Sequence, residues 1–381
     1  MKNILIVKAS DMDVSTSSNI RTLNLVKGLL ENGNKIDLLC LKISENSFFK
    51  RELSTEENMS YISIENENKI YKSLKKDSKY RNIKEFILNI SRFFYHSFFI
   101  YDHSYFSIKK IETLDIRNEY DIMISVSDPK TSHLLAKKVK NNYSKISRWI
   151  QYWGDPWAAD INKGPVYPKQ YLMYMEGKFL SEADKIVYVS PFTLKEQQSL
   201  FKSLKNKMFF LPVPAGPKIC YSKLEKSTYN ISYLGAYNKD YRNIFPLYNV
   251  INNCKELSLV IAGDGDAEIE STKNIQIYPR GDISDIEENT DLFICIINNK
   301  GFQIPSKLYY LSSTNRPVLV LLDGDNAKEI KRYLTQYNRF YFSNNNEAEI
   351  KDTIYKIIEE NRTFDQVEEF KNETIAKNIL E

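Results

Sequence analysis

Gly301-Phe302-Gln303-Ile304-Pro305-Ser306-Lys307-Leu308-Tyr309-Tyr310 is followed a few residues on by Arg316-Pro317-Val318-Leu319-Val320-Leu321. The first stretch reads as a loop that Pro305 leads into a helix, starting with Ser306 and Lys307 and ending near residue 315. The second reads as an apolar, buried strand. A helix start beside a sheet exposes unpaired backbone N–H groups and the positive end of the helix dipole. With a lysine in its first turn, such a terminus suits a diphosphate.

The same rhythm extends outward on both sides. Upstream, residues 229–234 read as a strand ending at Gly235, 243–254 as a helix and 257–262 as a strand running into Gly263-Asp264-Gly265. Residues 274–278 form a short strand before Arg280-Gly281, 284–288 a helix and 291–297 a strand. Downstream come a strand over 318–322, a helix over 327–334, a short strand over 340–342, and two closing helices over 347–360 and 363–380. The N-terminal half repeats the pattern. A strand over 3–7, a polar loop over 11–19, a helix over 20–32 closed by Gly33 and a strand over 35–41 make a βαβ unit. Further strands are expected over 121–126, 147–152, 185–189 and 207–213, with helices over 129–139 and 167–183. Residues 45–80 give no clear signal, and 81–110 read as a strongly aromatic helix. The Pro/Gly cluster at residues 212–217 is the natural linker. The fold class predicted is therefore α/β: two Rossmann-like, doubly wound parallel-sheet domains, over residues 1–213 and 214–362.

Composition narrows the function. The chain has 381 residues, 42% of them hydrophobic and 27% charged, which suits two globular domains. A net charge of +4, with Lys and Glu intermixed, calls for no nucleic-acid partner. The cysteines, Cys40, Cys220, Cys254 and Cys295, are far apart, and three lie in or beside apolar runs as small hydrophobes. The histidines, His96, His103 and His133, lack metal-ligand spacing, so no metal is expected. Asp264-Gly265-Asp266 and Asp323-Gly324-Asp325 read as turns. The opening residues 1–7 read as a strand and not a signal peptide, and no apolar run reaches membrane-spanning length. A cytoplasmic protein is expected. The aromatic run 93–101, with lysines and an arginine over 72–81, leaves room for peripheral contact with a membrane.

These motifs resemble the GT-B glycosyltransferases, and within them glycosyltransferase family 4. The strand and Gly turn that open the family's second domain correspond to Ile231-Ser232-Tyr233-Leu234-Gly235, with Arg242 where a phosphate-binding cation is common. The Ala-Gly-x-Gly turn corresponds to Ala262-Gly263-Asp264-Gly265, and the base-binding loop to Tyr278-Pro279-Arg280-Gly281. The donor loop and helix correspond to residues 301–310. In the first domain, residues 149–157, ending Asp155-Pro156-Trp157, and 125–133 also resemble the family. Two departures stand out. Tyr310 occupies the position where many members carry a ribose-binding Glu, and the upstream Glu of the pair is absent. Ser17-Ser18-Asn19 replaces the first domain's Gly-Gly turn.

The resemblance implies a transferase that moves a sugar from a nucleoside-diphosphate sugar to a saccharide or lipid-linked acceptor. It implies retention of configuration and no metal for the donor, in bacterial surface polysaccharide assembly. It makes residues 1–213 acceptor-binding and 214–362 donor-binding, with residues 363–381 crossing back to the first domain. Lys307 and Arg242 would stabilise the departing diphosphate, with Asp155 near the transferred sugar or acceptor hydroxyl. Ser18, Asn19, Gly235, Arg280, Gly281, Gln303, Ile304, Pro305, Ser306 and Tyr310 would contact the donor. Trp153 and His103 would contact the acceptor, Trp153 as a sugar platform. Each assignment has an ordinary counterpart: a capping Ser, a surface cation, a turn Asp or a buried Trp. The alternative function is a non-catalytic pseudo-transferase that binds glycan or supports a partner enzyme. A sugar-nucleotide epimerase would want carboxylates and a His that these motifs do not supply.

Overall fold

A computed structural model of the chain describes residues 1–64, 101–102, 104–109, 116–117, 119–142, 145–157, 167–222, 228–266 and 269–381. The chain divides into two compact units, Met1–Pro212 with Ile375–Glu381, and Val213–Thr374.

The first unit is built on β1 (Asn3–Asp11), α1 (Ser17–Glu31), β2 (Lys35–Lys42), α2 (Phe48–Glu52), β3 (Met59–Ser63), α3 (Ser104–Lys109), β4 (Glu119–Val126), α4 (Thr131–Asn142), β5 (Lys145–Trp153), α5 (Lys169–Ser181), β6 (Lys185–Tyr188), α6 (Pro191–Leu200) and β7 (Met208–Phe210). Its strands form one sheet of order β3-β2-β1-β4-β5-β6-β7, parallel throughout. Successive side chains of a strand point to opposite faces, so a sheet covered on both faces reads as a continuous apolar run. Ile4 and Ile6 enter one core with Leu25, Leu29, Leu38 and Ile124. Leu5 and Val7 enter the other with Leu39, Met123, Leu135 and Trp149.

The second unit contains β8 (Tyr229–Leu234), α7 (Phe245–Asn252), β9 (Leu257–Ala262), β10 (Ile275–Tyr278), α8 (Ser284–Glu288), β11 (Leu292–Ile296), α9 (Ser306–Leu311), β12 (Val318–Leu322), α10 (Ala327–Thr335), β13 (Tyr341–Asn344) and α11 (Glu347–Glu360). Its parallel sheet runs β10-β9-β8-β11-β12-β13. A last helix, α12 (Asn372–Leu380), begins in this unit and ends in the first. There Ile375, Ala376 and Ile379 join the β1–α1 core. Lys185 Nζ donates to the carbonyls of Asn378 (2.9 Å) and Ile379 (3.2 Å), and Arg148 Nη1 to that of Leu380 (2.8 Å). These cations meet the orphan carbonyls and negative dipole end of the helix.

Some elements differ from the sequence reading. The closing helix expected over 363–380 is a helix only from Asn372. Asn361 ends α11 in the left-handed conformation, at φ 44°. The segment after it bonds sideways, Phe364 N to the Asn315 carbonyl and Gln366 Nε2 to that of Gly216. α9 stops at Leu311, short of residue 315. The hydroxyls of Ser312, Ser313 and Thr314 fold back onto the carbonyls of Tyr309, Tyr310 and Leu311. The buried Arg339 guanidinium takes the carbonyls of Leu311, Ser312, Thr314 and Arg316. Burial pushes its pKa down to about 9. α2, β3 and α6 were not read from the sequence. Of the aromatic helix expected over 81–110, only residues 101–102 and 104–109 are described; the rest, with the basic residues over 72–81, lies outside the described residues. Cys40, Cys254 and Cys295 are buried, Cys220 is exposed, and all four are free thiols. Among the described residues, no helix is long and apolar enough to cross a membrane.

Candidate functional site

In both sheets the strand order reverses once, between β1 and β4 and between β8 and β11. Open parallel sheets bind ligands beyond the carboxyl ends of the strands at such a reversal. In the second unit the loops after β8, β9, β11 and β12 interlock at that edge. Tyr237 N bonds the Asp264 carbonyl at 3.1 Å, and Asn299 N bonds that of Tyr241 at 2.9 Å. Two glycines allow the approach. A Cβ on Gly263 (φ 158°) would lie 2.1 Å from the Gly235 oxygen, and one on Gly324 (φ 72°) 1.8 Å from the Asn299 oxygen. Both Asp-Gly-Asp segments therefore serve as loop contacts. Among the described residues, no group of three His, Cys, Asp or Glu side chains is placed to hold a metal.

α9 opens at this edge. Its cap is Pro305, whose ring offers no side-chain bond, so Ser306 is the first helical residue and not a cap. Lys307 and Tyr310, one helical turn apart, are brought together, with Lys307 Nζ 4.5 Å from the centre of the Tyr310 ring. Between them lies a residue the sequence reading did not single out. Glu287, on α8, is 5% exposed. Its Oε1 is 3.3 Å from Lys307 Nζ. Its Oε2 accepts from Tyr310 OH at 2.6 Å and Tyr221 OH at 3.4 Å. A carboxylate therefore stands beside position 310, carried by another helix. Burial lowers the Lys307 pKa, and the Glu287 charge opposes that shift. Burial and then Glu287 raise Tyr310 and push Tyr221 up to about 12, so both phenols stay protonated as donors.

The remaining expected donor residues spread along the same edge. Arg242 closes a turn with Asn238, through backbone bonds of 2.8 and 3.1 Å. Its Nε donates to Asn298 Oδ1 at 2.6 Å, which ties it to the loop after β11. Gly235 ends β8. Arg280 and Gly281 are exposed beyond β10, while Gln303, Ile304, Pro305 and Ser306 are half-buried in the loop before α9. The structure joins Lys307 to Tyr310 directly. Arg242 is joined to the loop that carries α9, and Arg280 and Gly281 lie past the end of β10, the far strand of the order.

At the reversal of the first sheet, Ser18 sits in the first turn of α1. Its hydroxyl donates to the carbonyls of Ser127 (3.1 Å) and Asp128 (2.8 Å) and contacts the ammonium of the buried Lys8. Lys8 also bonds the Asp128 carbonyl, and Arg21 bonds that of Ser127. Burial, reinforced by Arg21, holds the Lys8 pKa well below its usual range. Neither Lys8 nor Arg21 was flagged by the sequence, where a lysine just past an apolar run and an arginine on a helix carry no signal. Asn19 is buried, and its amide nitrogen donates to the carbonyls of Asp11 and Val14. Its side-chain donors shape the loop and are not free for a phosphate.

Gly154 follows β5, and its missing Cβ leaves room for Arg21 Nη1, which would lie 2.7 Å from it. Asp155, next along, is half-buried. Trp153 is fully buried, with its ring centre 4.1 Å from that of His133 and its Nε1 bonded to Gln151. A sugar platform needs an exposed ring face, and Trp153 has none. Trp157 packs instead among Tyr101 and Phe179. His103 lies outside the described residues.

No family model matches the sequence, and no curated protein does. Solved structures do match, over nearly the whole chain. Anabaena Alr3699/HepE, in complex with UDP and glucose, superposes with a TM-score of 0.56 at 10% identity, over 99% of this chain and 95% of that one. A glycosyltransferase from Rickettsia africae gives 0.53 at 13% identity, over 99% and 93%. The lipopolysaccharide outer core galactosyltransferase WaaB, in its apo form, gives 0.52 at 13%, over 99% and 98%. Sequence identity this low speaks for architecture alone. With two parallel sheets, each reversing order once, it shows that the chain has the GT-B fold.

Proposed function

We propose that this protein is a glycosyltransferase that moves a sugar from a nucleoside-diphosphate sugar to a saccharide or lipid-linked acceptor. The observation that carries the reading is Lys307, in the first turn of α9 at the reversal of the second sheet, half-exposed and oriented by Glu287 and Tyr310. Lys307 and Arg242 would stabilise the diphosphate as it leaves, aided by amides at the start of α9. Asp155 would meet the acceptor hydroxyl or transferred sugar, and Ser18 would contribute from the first unit. We propose further that configuration is retained, that no metal is needed, and that the acceptor belongs to bacterial surface polysaccharide assembly. HepE, solved with UDP-glucose, and the galactosyltransferase WaaB support that choice of substrate class.

The test is a thermal-shift panel of UDP, GDP, CDP and ADP with their common sugar esters, with and without EDTA. A ligand that binds only the native state raises its melting temperature. One base is expected to stabilise the protein, insensitive to EDTA, and Lys307→Ala to abolish the shift and lower turnover about 100-fold. Unchanged turnover in that variant would remove Lys307 from the mechanism. The ion pair that already engages Lys307 favours a second reading, a non-catalytic glycan-binding protein. Absence of any nucleotide shift in wild type would select it.

A further inference from the structure

Resting on the reading of Lys307 as a diphosphate ligand, we propose that Glu287 sets the balance between donor and product at that site by offsetting part of the lysine's charge. Glu287 is 5% exposed and held from three sides, by Lys307 at 3.3 Å, Tyr310 at 2.6 Å and Tyr221 at 3.4 Å. Two phenols and an ammonium donate to the carboxylate and fix its position. Lys307 is itself 32% exposed at its side chain. An ammonium has three protons, so the contact with Glu287 leaves donors for an anion.

An anion arriving at Lys307 is attracted by the ammonium and repelled by the carboxylate behind it. The repulsion grows with the charge of the ligand. The diphosphate of a nucleotide sugar carries two negative charges. Transfer forms a bond between the acceptor hydroxyl oxygen and the anomeric carbon and breaks that carbon's bond to the terminal phosphate oxygen; the phosphate oxygen keeps the electron pair and the hydroxyl proton is released to solvent. The freed terminal phosphate titrates near 6, so at neutral pH the product carries about one charge more than the donor. Glu287 therefore opposes the product more strongly than the donor and limits occupation of the site by spent nucleotide. A carboxylate that merely held Lys307 and Tyr310 in place would have the opposite signature, since its loss would weaken donor and product alike.

The test compares wild type with Glu287→Gln, which keeps an acceptor for the two phenols and removes the charge. Each is titrated calorimetrically with whichever of UDP, GDP, CDP and ADP binds wild type most tightly, and with the glucose ester of that nucleotide, at pH 7.5 and 5.5. At pH 7.5 the variant is expected to bind the diphosphate about tenfold more tightly and the ester about threefold, each screened charge on the terminal phosphate being worth a factor of about three. At pH 5.5, with the terminal phosphate protonated, the advantage for the diphosphate should shrink to that for the ester. Steady-state assays should show deeper product inhibition, with kcat/KM changed less. A variant that stays folded and binds the diphosphate no more tightly, or gains equally at both pH values, overturns the proposal. If Glu287→Gln does not fold, Glu287→Met in a Tyr310→Phe background, compared with Tyr310→Phe alone, removes the charge with the phenol already gone and answers the same question. Wild type that binds none of the four nucleotides fails earlier, at the donor reading itself.

Discussion

The phenol of Tyr310 donates a 2.6 Å hydrogen bond to Glu287, a residue 23 positions away on a different helix. Tyr310→Phe keeps the ring beside Lys307 and removes that donor from a buried carboxylate. Loss of one partner of a buried charged group costs about 1–3 kcal/mol. The variant should unfold at lower urea by that amount, and nucleotide affinity should fall with it. Equal midpoints for the two proteins would mean that Tyr221 alone satisfies Glu287 Oε2.

Arg339 holds four carbonyls around the end of α9 and has no carboxylate within ion-pair distance among the described residues. Arg339→Met leaves those carbonyls without their shared donor, and a cost of about 3 kcal/mol or more is expected, as for a broken buried network. The end of α9 should loosen as well. Faster amide exchange at Ser312–Asn315 would report it, and unchanged exchange there would count against a role in holding the helix.

Gly324→Ala puts a methyl 1.8 Å from the Asn299 carbonyl, at a φ of 72° that alanine adopts at a cost. About 2 kcal/mol of destabilisation is expected from strain and steric overlap. Asn299 lies in the loop that leads to α9, so nucleotide binding should weaken by more than global stability predicts. A variant with wild-type affinity would separate that loop from the site.

His133 is fully buried, with Nδ1 2.7 Å from the Ser125 hydroxyl. Burial first, then Lys8, Lys130 and Arg21, hold its pKa well below 6.5. The unfolded chain gains a proton near pH 6.5 that the folded chain refuses, so this histidine's contribution to stability falls as pH drops below about 6.5. Urea midpoints measured from pH 7 to 5 should decline in wild type and flatten in His133→Gln. Parallel curves would assign the decline to other groups.

Apart from β3, the sheet strands were legible because each is a short apolar run closed by Gly, Pro or a charged turn. Ile231–Leu234 into Gly235 and Val318–Leu322 after Pro317 show this plainly. Lys307 was legible for the same reason, being announced by Pro305 and the strand that follows. Glu287 was not. It stands among Asp285 and Glu288 in an acidic stretch, and nothing local marks it as the carboxylate whose partners lie on α9 and at Tyr221. Lys8 was hidden because its partners, Ser18 and the Asp128 carbonyl, meet only when β1, α1 and β4 assemble. α6 has a capping Ser190 and a leading Pro191 but a weak apolar stripe, so its cap was the one usable signal. The expected helix over 363–380 failed for the opposite reason. Its pattern tolerates a helix, and lateral bonds to Asn315 and Gly216 outcompete one.

Ile375, Ala376 and Ile379 fill the core built by β1, α1 and β2, yet the chain leaves that unit at Pro212 and returns some 160 residues later. At the usual pace of synthesis that gap lasts roughly ten to thirty seconds. During translation the amino-terminal half therefore waits with an open seam while the other half is made. A chaperone that recognises exposed apolar surface has its clearest opportunity at that seam, in the nascent chain, before α12 closes it.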